Sequence, residues 1–300
     1  MDESTQDVIV IGGGAAGLSA ALMLARARLA VTVVDAGSPR NAPAEGVHGL
    51  LARDGMPPLD LVATGRAEVE RYGGRVVAGE VAEARRSEGG FLVTLADGSV
   101  RSARRLFVAT GLADELPELP GLREQWGRHV VHCPFCHGWE VRDTAIGVLA
   151  LTPRALHQAR LFRQWSDDVT LFTHTVPELA AEAAGHGLRV VEGEVVAVET
   201  GDGRVTGLRL ADGTVHAVET VAVGPRARLR APFLAGLGLV VEQHPSGMGE
   251  HLPVDGVGRT AVEGVWAAGN VADPSAQVGM AAAQAALAAA GMVGEFAFER

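Results

Sequence analysis

The chain has 300 residues, of which 47% are hydrophobic and 21% charged, with 39 glycines and a net charge of −10. That balance suits roughly two globular domains at ~150 residues each. Every basic residue is arginine, no basic block is longer than two or three residues and aromatics make up only 4%, which excludes nucleic acid as an expected partner.

The N-terminus, Met1-Asp2-Glu3-Ser4-Thr5-Gln6-Asp7, is acidic and polar, unlike a signal peptide. No apolar run approaches the ~20 residues of a membrane helix. The Ala-rich segment Gly279–Val293 is too short and carries Gln284. The expectation is a cytoplasmic protein without a membrane anchor.

Asp7–Ile11 is a short apolar run suited to a buried parallel strand, and it leads directly into Gly12-Gly13-Gly14-Ala15-Ala16-Gly17. A helix is predicted over 18–28, with Leu18, Ala21, Leu22 and Ala25 on one face, followed by a second strand over 30–34 that ends at Asp35. This is G-x-G-x-x-G between a strand and a helix, with an acid 18 residues after Gly17. The glycines permit a tight turn and close approach of backbone to a pyrophosphate, the helix N-terminus faces that anion, and Asp35 accepts from ribose hydroxyls. Dinucleotide binding is expected, with the identity of the dinucleotide left open by the motif.

Residues 36–57 form a Gly-, Pro- and Asn-rich loop in which Arg40 and Asn41 are candidates for contact with the ADP half of a cofactor, a solvated turn being an equal reading. His48 lies in the same loop without an assigned role. A helix is predicted over 58–72, then strands near 76–81, 91–95, 99–101 and 104–109, with Asp97-Gly98 as a hairpin turn and Ala109-Thr110-Gly111 closing the last strand. The Pro-rich stretch Leu116–Gly121 marks a domain boundary.

The only two cysteines stand in His132-Cys133-Pro134-Phe135-Cys136-His137. Four readings compete: two buried cysteines packing as small apolar groups, a zinc site, c-type haem attachment through C-x-x-C-H, and a redox-active dithiol. A structural zinc site adds a second ligand pair, which is missing, and haem attachment belongs to exported proteins. In a cytoplasmic protein a C-x-x-C is more often catalytic than structural. His129 and His132 read as strand residues.

A second strand–turn–helix unit follows: 145–151, Thr152-Pro153, 154–165, then a strand over 169–172. Where its glycine motif would fall, the chain reads Ala150-Leu151-Thr152-Pro153-Arg154-Ala155, and no arginine follows Phe172 to pair a 2′-phosphate. The favoured reading is a scaffold that keeps the fold and has lost the ligand. Further strands with turns at Gly201-Asp202-Gly203 and Asp212-Gly213 lead to a buried strand at Gly264–Ala268, to Gly269-Asn270, and to a small-residue helix opening at Gln277-Val278 and running to Gly291.

With these motifs assembled, the chain resembles the low-molecular-weight thioredoxin reductase family over essentially its whole length. The resemblance rests on Gly12–Gly17, Asp35, Ala109-Thr110-Gly111, the C-x-x-C, Arg142-Asp143 and Ala267–Asp273. It implies an α/β fold of two Rossmann-like three-layer nucleotide-binding domains, the second inserted into the first. The domains expected are 1–117 with 245–300 for FAD, and 118–244 as a degenerate NAD(P)H-like domain carrying the C-x-x-C.

The same resemblance implies FAD held by Gly12, Gly14, Ala15, Ala16, Gly17, Asp35, Arg40, Asn41, Val81, Thr110 and Gly111. Gly269 and Asn270 would lie at the ribityl and pyrophosphate end, and Gln277 and Val278 near the flavin. No metal is expected, and a homodimer is.

Three departures, His137 in place of the family's acid, the lost central glycines and the absent arginines, are similar to the dithiol oxidases of holomycin- and gliotoxin-type biosynthesis. They imply a small dithiol substrate, O₂ as acceptor and H₂O₂ as product. By that analogy Cys133 is the interchange cysteine, Cys136 lies nearer the flavin and His137 is the general base. The alternative is a disulfide reductase fed by NAD(P)H or another donor.

Overall fold

The computed structural model describes residues 5–299. The chain divides into two compact units: residues 1–42, 50–114 and 227–300 form the first, and 43–49 with 115–226 form the second.

In the first unit β1 (Gln6–Ile11) runs into α1 (Ala15–Arg26) and β2 (Val31–Asp35). Then follow α2 (Pro58–Arg71), β3 (Arg75–Ala78), β4 (Val81–Ser87), β5 (Gly90–Leu95) and β6 (Val100–Val108). The sheet order is β3-β2-β1-β6-β5-β4, and Val265–Ala267 adds to β6 in parallel. β6 is long enough to serve two neighbours on one edge: its start pairs with β5 and its end with Val265–Ala267. Val8 and Val10 enter one apolar cluster with α1 and the terminal helix, while Ile9 and Ile11 enter another with the β4–β5 hairpin. Burial on both faces explains why β1 reads as a continuous apolar run rather than an alternating one.

Several predicted elements differ in extent. The α1 helix begins at Ala15 rather than 18, so the end of the glycine motif forms its first turn, and it stops at Arg26 because Arg28 turns to φ +65°. The strands expected at 99–101 and 104–109 are one, because β6 has partners along its whole length. The strand expected at 76–81 is two elements that break at Gly79-Glu80, and the second, β4, continues to Ser87 with no sign in the sequence because its outward positions are Glu83, Arg85 and Arg86. Charges of that kind suit a strand at the sheet's edge.

The terminal helix spans Val278–Phe298, well past Gly291. Gly291 does not end it; it lies over Trp266, where a Cβ would come 2.9 Å from the indole. At 21 residues the helix is long and apolar enough to cross a membrane by length and composition, which corrects the expectation that it is too short. Here it packs on α1, burying Ala281, Ala285, Ala288, Ala289, Met292 and Phe296.

The second unit is a five-stranded parallel sheet in the order 189–191, 169–172, 146–149, 220–223 and 130–131. Its helices, Arg154–Phe162 and Leu179–Gly185, contribute to a cluster that buries Val131, Val148 and Leu171. An antiparallel meander, 195–201, 204–210 and 215–216, joins a second cluster with Val130 and Leu149. Its turns fall at Asp202-Gly203 and Asp212-Gly213, as predicted from the sequence.

The division between units differs from the sequence reading, which placed 118–244 in the central domain. Residues 227–244 belong to the first unit, since Phe233, Leu234, Leu237 and Leu239 are buried in the cluster that holds β4 and β5. Residues 43–49 group with the second unit.

Candidate functional site

In the first unit, the carboxyl ends of β1, β2, β6 and Val265–Ala267 carry the sequence-predicted loops, with the order reversing about β1 and β6. Such a switch point is where open α/β sheets bind ligands. The local packing is tight and depends on glycine. Gly12 stands at φ +107°, and a Cβ there would lie 2.3 Å from the Ala109 carbonyl oxygen. A Cβ on Gly17 would lie 1.8 Å from the Gly12 oxygen. Gly269, at φ +78°, lets its loop approach Ala16, where a Cβ would come to 2.6 Å. These three glycines bring 12–17, 109–111 and 269–270 together.

Gly14 is different. A Cβ there would meet nothing within 4 Å, so the fold alone does not require glycine. No side chain caps α1 and no acid sits in its first turn, which leaves its amide donors available to an anion. The Thr110 hydroxyl is buried and has no hydrogen-bond partner among the described residues. An open cradle at Gly14, uncapped amides and an orphaned hydroxyl fit a dinucleotide such as FAD.

Asp35 lies at the end of β2 and is nearly buried. Its carboxylate accepts from the amides of Gly13 and Gly37, each at 3.2 Å, and pairs with Arg66 from α2. Arg66 is absent from the sequence reading, because an arginine on an amphipathic helix gives no sign of its partner 31 residues earlier.

Arg40 binds the Asp114 carboxylate in a bidentate fork, Nε at 2.9 Å and Nη2 at 2.6 Å, and Nη1 donates to Asn270 Oδ1 at 3.4 Å. Arg40 is therefore a strut between loops. The Asn270 amide donates to the carbonyls of Ala276 at 2.8 Å and Asp273 at 3.1 Å. These bonds call for an amide at position 270, since a carboxylate would set negative oxygens against those carbonyls. Asn270→Asp is expected to lower stability by about 1 kcal/mol, read as a fall in Tm of the flavin-free protein; an unchanged or raised Tm would contradict this account.

Asn41 is half-buried in the same loop, and Gln277 precedes the terminal helix that Val278 begins. Val81 is buried with its side chain in the core. Only its backbone is available to a ligand, just after Gly79, whose amide donates to the Asp35 carbonyl at 3.0 Å.

In the second unit, Val130–Val131 leads into Cys133, which precedes the helical turn Pro134–His137. The Cys133 carbonyl accepts from the amides of Cys136 and His137, both at 3.1 Å. Both cysteines are half-buried. Gly138 admits the ring of Trp165, which a Cβ would meet at 2.7 Å, and Trp165 packs edge-on against Phe135 at 5.9 Å. Phe135 and Trp139 are exposed on either side of His137, with the Arg142 guanidinium 4.1 Å from the Trp139 ring centre.

Both ring nitrogens of His137 are buried without a hydrogen-bond partner among the described residues. Burial pulls its pKa below the ordinary imidazole value; Glu140 opposes that shift and His48 adds to it. His48, unassigned in sequence, lies with Nε2 3.4 Å from Glu140 Oε1. His132 is placed by its carbonyl, which accepts from Gln158 Nε2 at 2.6 Å, and the His129 carbonyl accepts from the Val221 amide at 2.9 Å. Neither is the strand residue that the sequence reading expected: His129 is in the turn before Val130–Val131 and His132 follows that strand. Among the described residues, no group of three or more His, Cys, Asp or Glu side chains is arranged to hold a metal ion.

The mouth of this second sheet is tied by the protein's own bonds. Thr175 Oγ1 donates to the Ala150 carbonyl at 3.3 Å, and the Val195 amide donates to His174 Nδ1 at 3.1 Å. Pro153, which has no amide hydrogen, caps the helix Arg154–Phe162.

Residues 6–290 match the model of the pyridine nucleotide-disulphide oxidoreductase family. A protein named thioredoxin reductase aclD, from Aspergillus oryzae, is 32% identical, the match covering 98% of this chain and 97% of that one. The crystal structure of HlmI superposes with a TM-score of 0.92 at 45% identity, covering 100% of this chain and 95% of the other. An oxidoreductase from Agrobacterium tumefaciens gives a TM-score of 0.91 at 38% identity, covering 99% and 100%. With a glycine cradle that fits FAD and a C-x-x-C in a second Rossmann-like unit, the chain belongs to the pyridine nucleotide-disulphide oxidoreductase family, as a thioredoxin reductase-like flavoenzyme.

Proposed function

We propose that this protein is a dithiol oxidase: it closes a disulfide in a small dithiol by way of Cys133 and Cys136, with O₂ as the final acceptor. The observation that carries this reading is the second unit's nucleotide position. There Leu151-Thr152-Pro153 replaces a glycine cradle, and Thr175 and His174 are engaged with the protein itself. Close backbone approach to a pyrophosphate needs glycines and amide donors, so the position supports electron entry from the thiol side.

In this reading His137 takes the proton of a substrate thiol, a task suited to a buried imidazole kept neutral near pH ~7. The substrate thiolate attacks the Cys133 sulfur, the Cys133–Cys136 bond breaks and Cys136 leaves as a thiolate. The second substrate thiolate then attacks the sulfur bound to Cys133, which closes the product disulfide and frees Cys133. FAD, which the first unit's glycine loop would hold, would supply a two-electron acceptor that O₂ can reoxidise, so that one dithiol and one O₂ become one disulfide and one H₂O₂.

We assign the cofactor to Gly12, Gly14, Ala15, Ala16, Gly17, Asp35, Thr110, Gly111 and Gly269, with Asn41, Gln277, Val278 and the Val81 backbone at its edges. Arg40 and Asn270 hold the surrounding loops. The family resemblance supports a homodimer in a cytoplasmic setting.

The second reading, an NAD(P)H-fed disulfide reductase, draws on the family's description and on the name of the Aspergillus relative. Anaerobic reduction of the flavin separates the two. A small dithiol is expected to bleach the flavin, with colour and H₂O₂ appearing on aeration, while NADPH and NADH leave it yellow. Rapid bleaching by NADPH would transfer the assignment to the reductase.

A further inference from the structure

Arg66 belongs to no sequence motif, and its place on α2 is unusual for an arginine. Pro58, Val62 and Val69 are the buried residues of that helix, and Arg66 follows Val62 by four positions and precedes Val69 by three, which sets it on the same face. Gly65 lets α2 come close to α1: a Cβ there would lie 3.0 Å from Leu18 Cδ1, one residue past the glycine motif. From that seat the Arg66 side chain reaches the end of β2, where Nη2 pairs with Asp35 Oδ2.

Both oxygens of Asp35 are thereby engaged, Oδ1 by the amides of Gly13 and Gly37 and Oδ2 by Arg66. The carboxylate lies directly on the glycine loop, since a Cβ on Gly13 would come 2.5 Å from its Cγ. Two features point from this pair to a ligand. A carboxylate packed on that loop repels the pyrophosphate the loop is shaped to hold, unless a cation balances it. Arg66 Nε is sealed from solvent with no hydrogen-bond partner among the described residues, a state that buried donors seldom keep.

We propose that Arg66 is a positioning residue for the adenosine end of FAD. It orients the Asp35 carboxylate as the acceptor for ribose hydroxyls, balances its charge beside the pyrophosphate, and keeps Nε as a donor for the cofactor. The inference rests on the assignment of Asp35 to the cofactor.

The test is equilibrium titration of the flavin-free full chain with FAD, followed by flavin fluorescence, for wild type, Arg66→Gln, Asp35→Asn and the double variant. FMN, which lacks the adenosine end, is titrated in parallel. Arg66→Gln is expected to weaken FAD roughly tenfold and to leave FMN within about twofold of wild type. Arg66→Lys keeps the charge but gives up the planar fork and Nε, and should fall between. In the double variant the two losses should overlap rather than add, because Arg66 works largely through Asp35.

Unchanged FAD affinity in Arg66→Gln overturns the proposal. So does an equal loss of FAD and FMN, which would mean that α2 has shifted as a whole. If Arg66→Gln yields no folded protein, Arg66→Lys carries the same comparison: it must lose FAD affinity and keep FMN affinity. An Asp35→Asn protein that binds FAD as tightly as wild type would instead retire the assignment of Asp35 to the cofactor, whereas a loss there without one in Arg66→Gln sinks the role of Arg66 alone.

Discussion

Cys133→Ser and Cys136→Ser are each expected to abolish dithiol-dependent turnover, by on the order of 10³-fold or more, while the protein stays yellow. The cofactor cradle belongs to the first unit and the cysteines to the second, so removing one sulfur leaves the cradle's glycines, the Thr110 hydroxyl and the first turn of α1 as they are. A single remaining thiol can neither open nor re-form the internal disulfide, and oxygen is a poor direct partner for a substrate thiol. The check is H₂O₂ release under air, with flavin content measured from the absorbance spectrum of the same preparation. Multiple turnover in either variant would end the interchange mechanism, and loss of colour in both would mean that the cysteines support the cofactor site structurally.

Gly17→Ala is expected to prevent stable folding, whereas Gly14→Ala is expected to fold and bind flavin poorly. In the first, the added carbon would occupy a point 1.8 Å from the Gly12 oxygen, with the Ala109 side chain behind it at 3.4 Å. Neither the β1 turn nor α1 can yield without parting from the sheet. A cost upwards of about 4 kcal/mol follows, a large part of the 5–15 kcal/mol that holds a typical domain together. In the second, the new methyl has open space in the flavin-free protein and backbone angles of φ −80°, ψ −171° that alanine accepts. Its cost to the fold should be below about 1 kcal/mol, and its effect falls on the ligand, with flavin affinity down tenfold or more. Soluble expression, thermal unfolding and flavin stoichiometry of the two variants separate the effects. Equal flavin content in Gly14→Ala and the wild type would remove this loop from the cofactor site.

What the sequence discloses and what it conceals divide along physical lines. The glycine motif, Asp35 and the C-x-x-C are legible because the requirement is local: a turn too tight for a side chain, an acid at a strand end, two sulfurs one turn apart. Arg40, Asn270 and His48 are not legible in the same way. The ties Arg40–Asp114, Arg40–Asn270 and His48–Glu140 span 74, 230 and 92 residues, and no periodicity records such distances. The allegiance of residues 227–244 is hidden for a related reason. Phe233, Leu234 and Leu237 are apolar wherever they pack, and only the exposed underside of the β4–β5 hairpin decides that they pack there. β4 is hidden by its own charges, which mark an edge in space and carry no strand pattern in sequence.

The first unit is assembled from segments far apart in the sequence, and this has a bearing on synthesis. The second unit's sheet and helices are complete once residue 226 has left the ribosome, and from there it can fold while translation continues. The first unit cannot. β6 lacks the neighbour at Val265–Ala267, and α1 lacks the helix at Val278–Phe298, until those later segments have been made. Until then, the apolar face of β1 and the small-residue face of α1 remain uncovered on the nascent chain. Stable flavin binding is expected to wait for the segment Val278–Phe298. A truncation of only the last twenty residues should yield a chain whose central unit is sound and whose flavin never arrives.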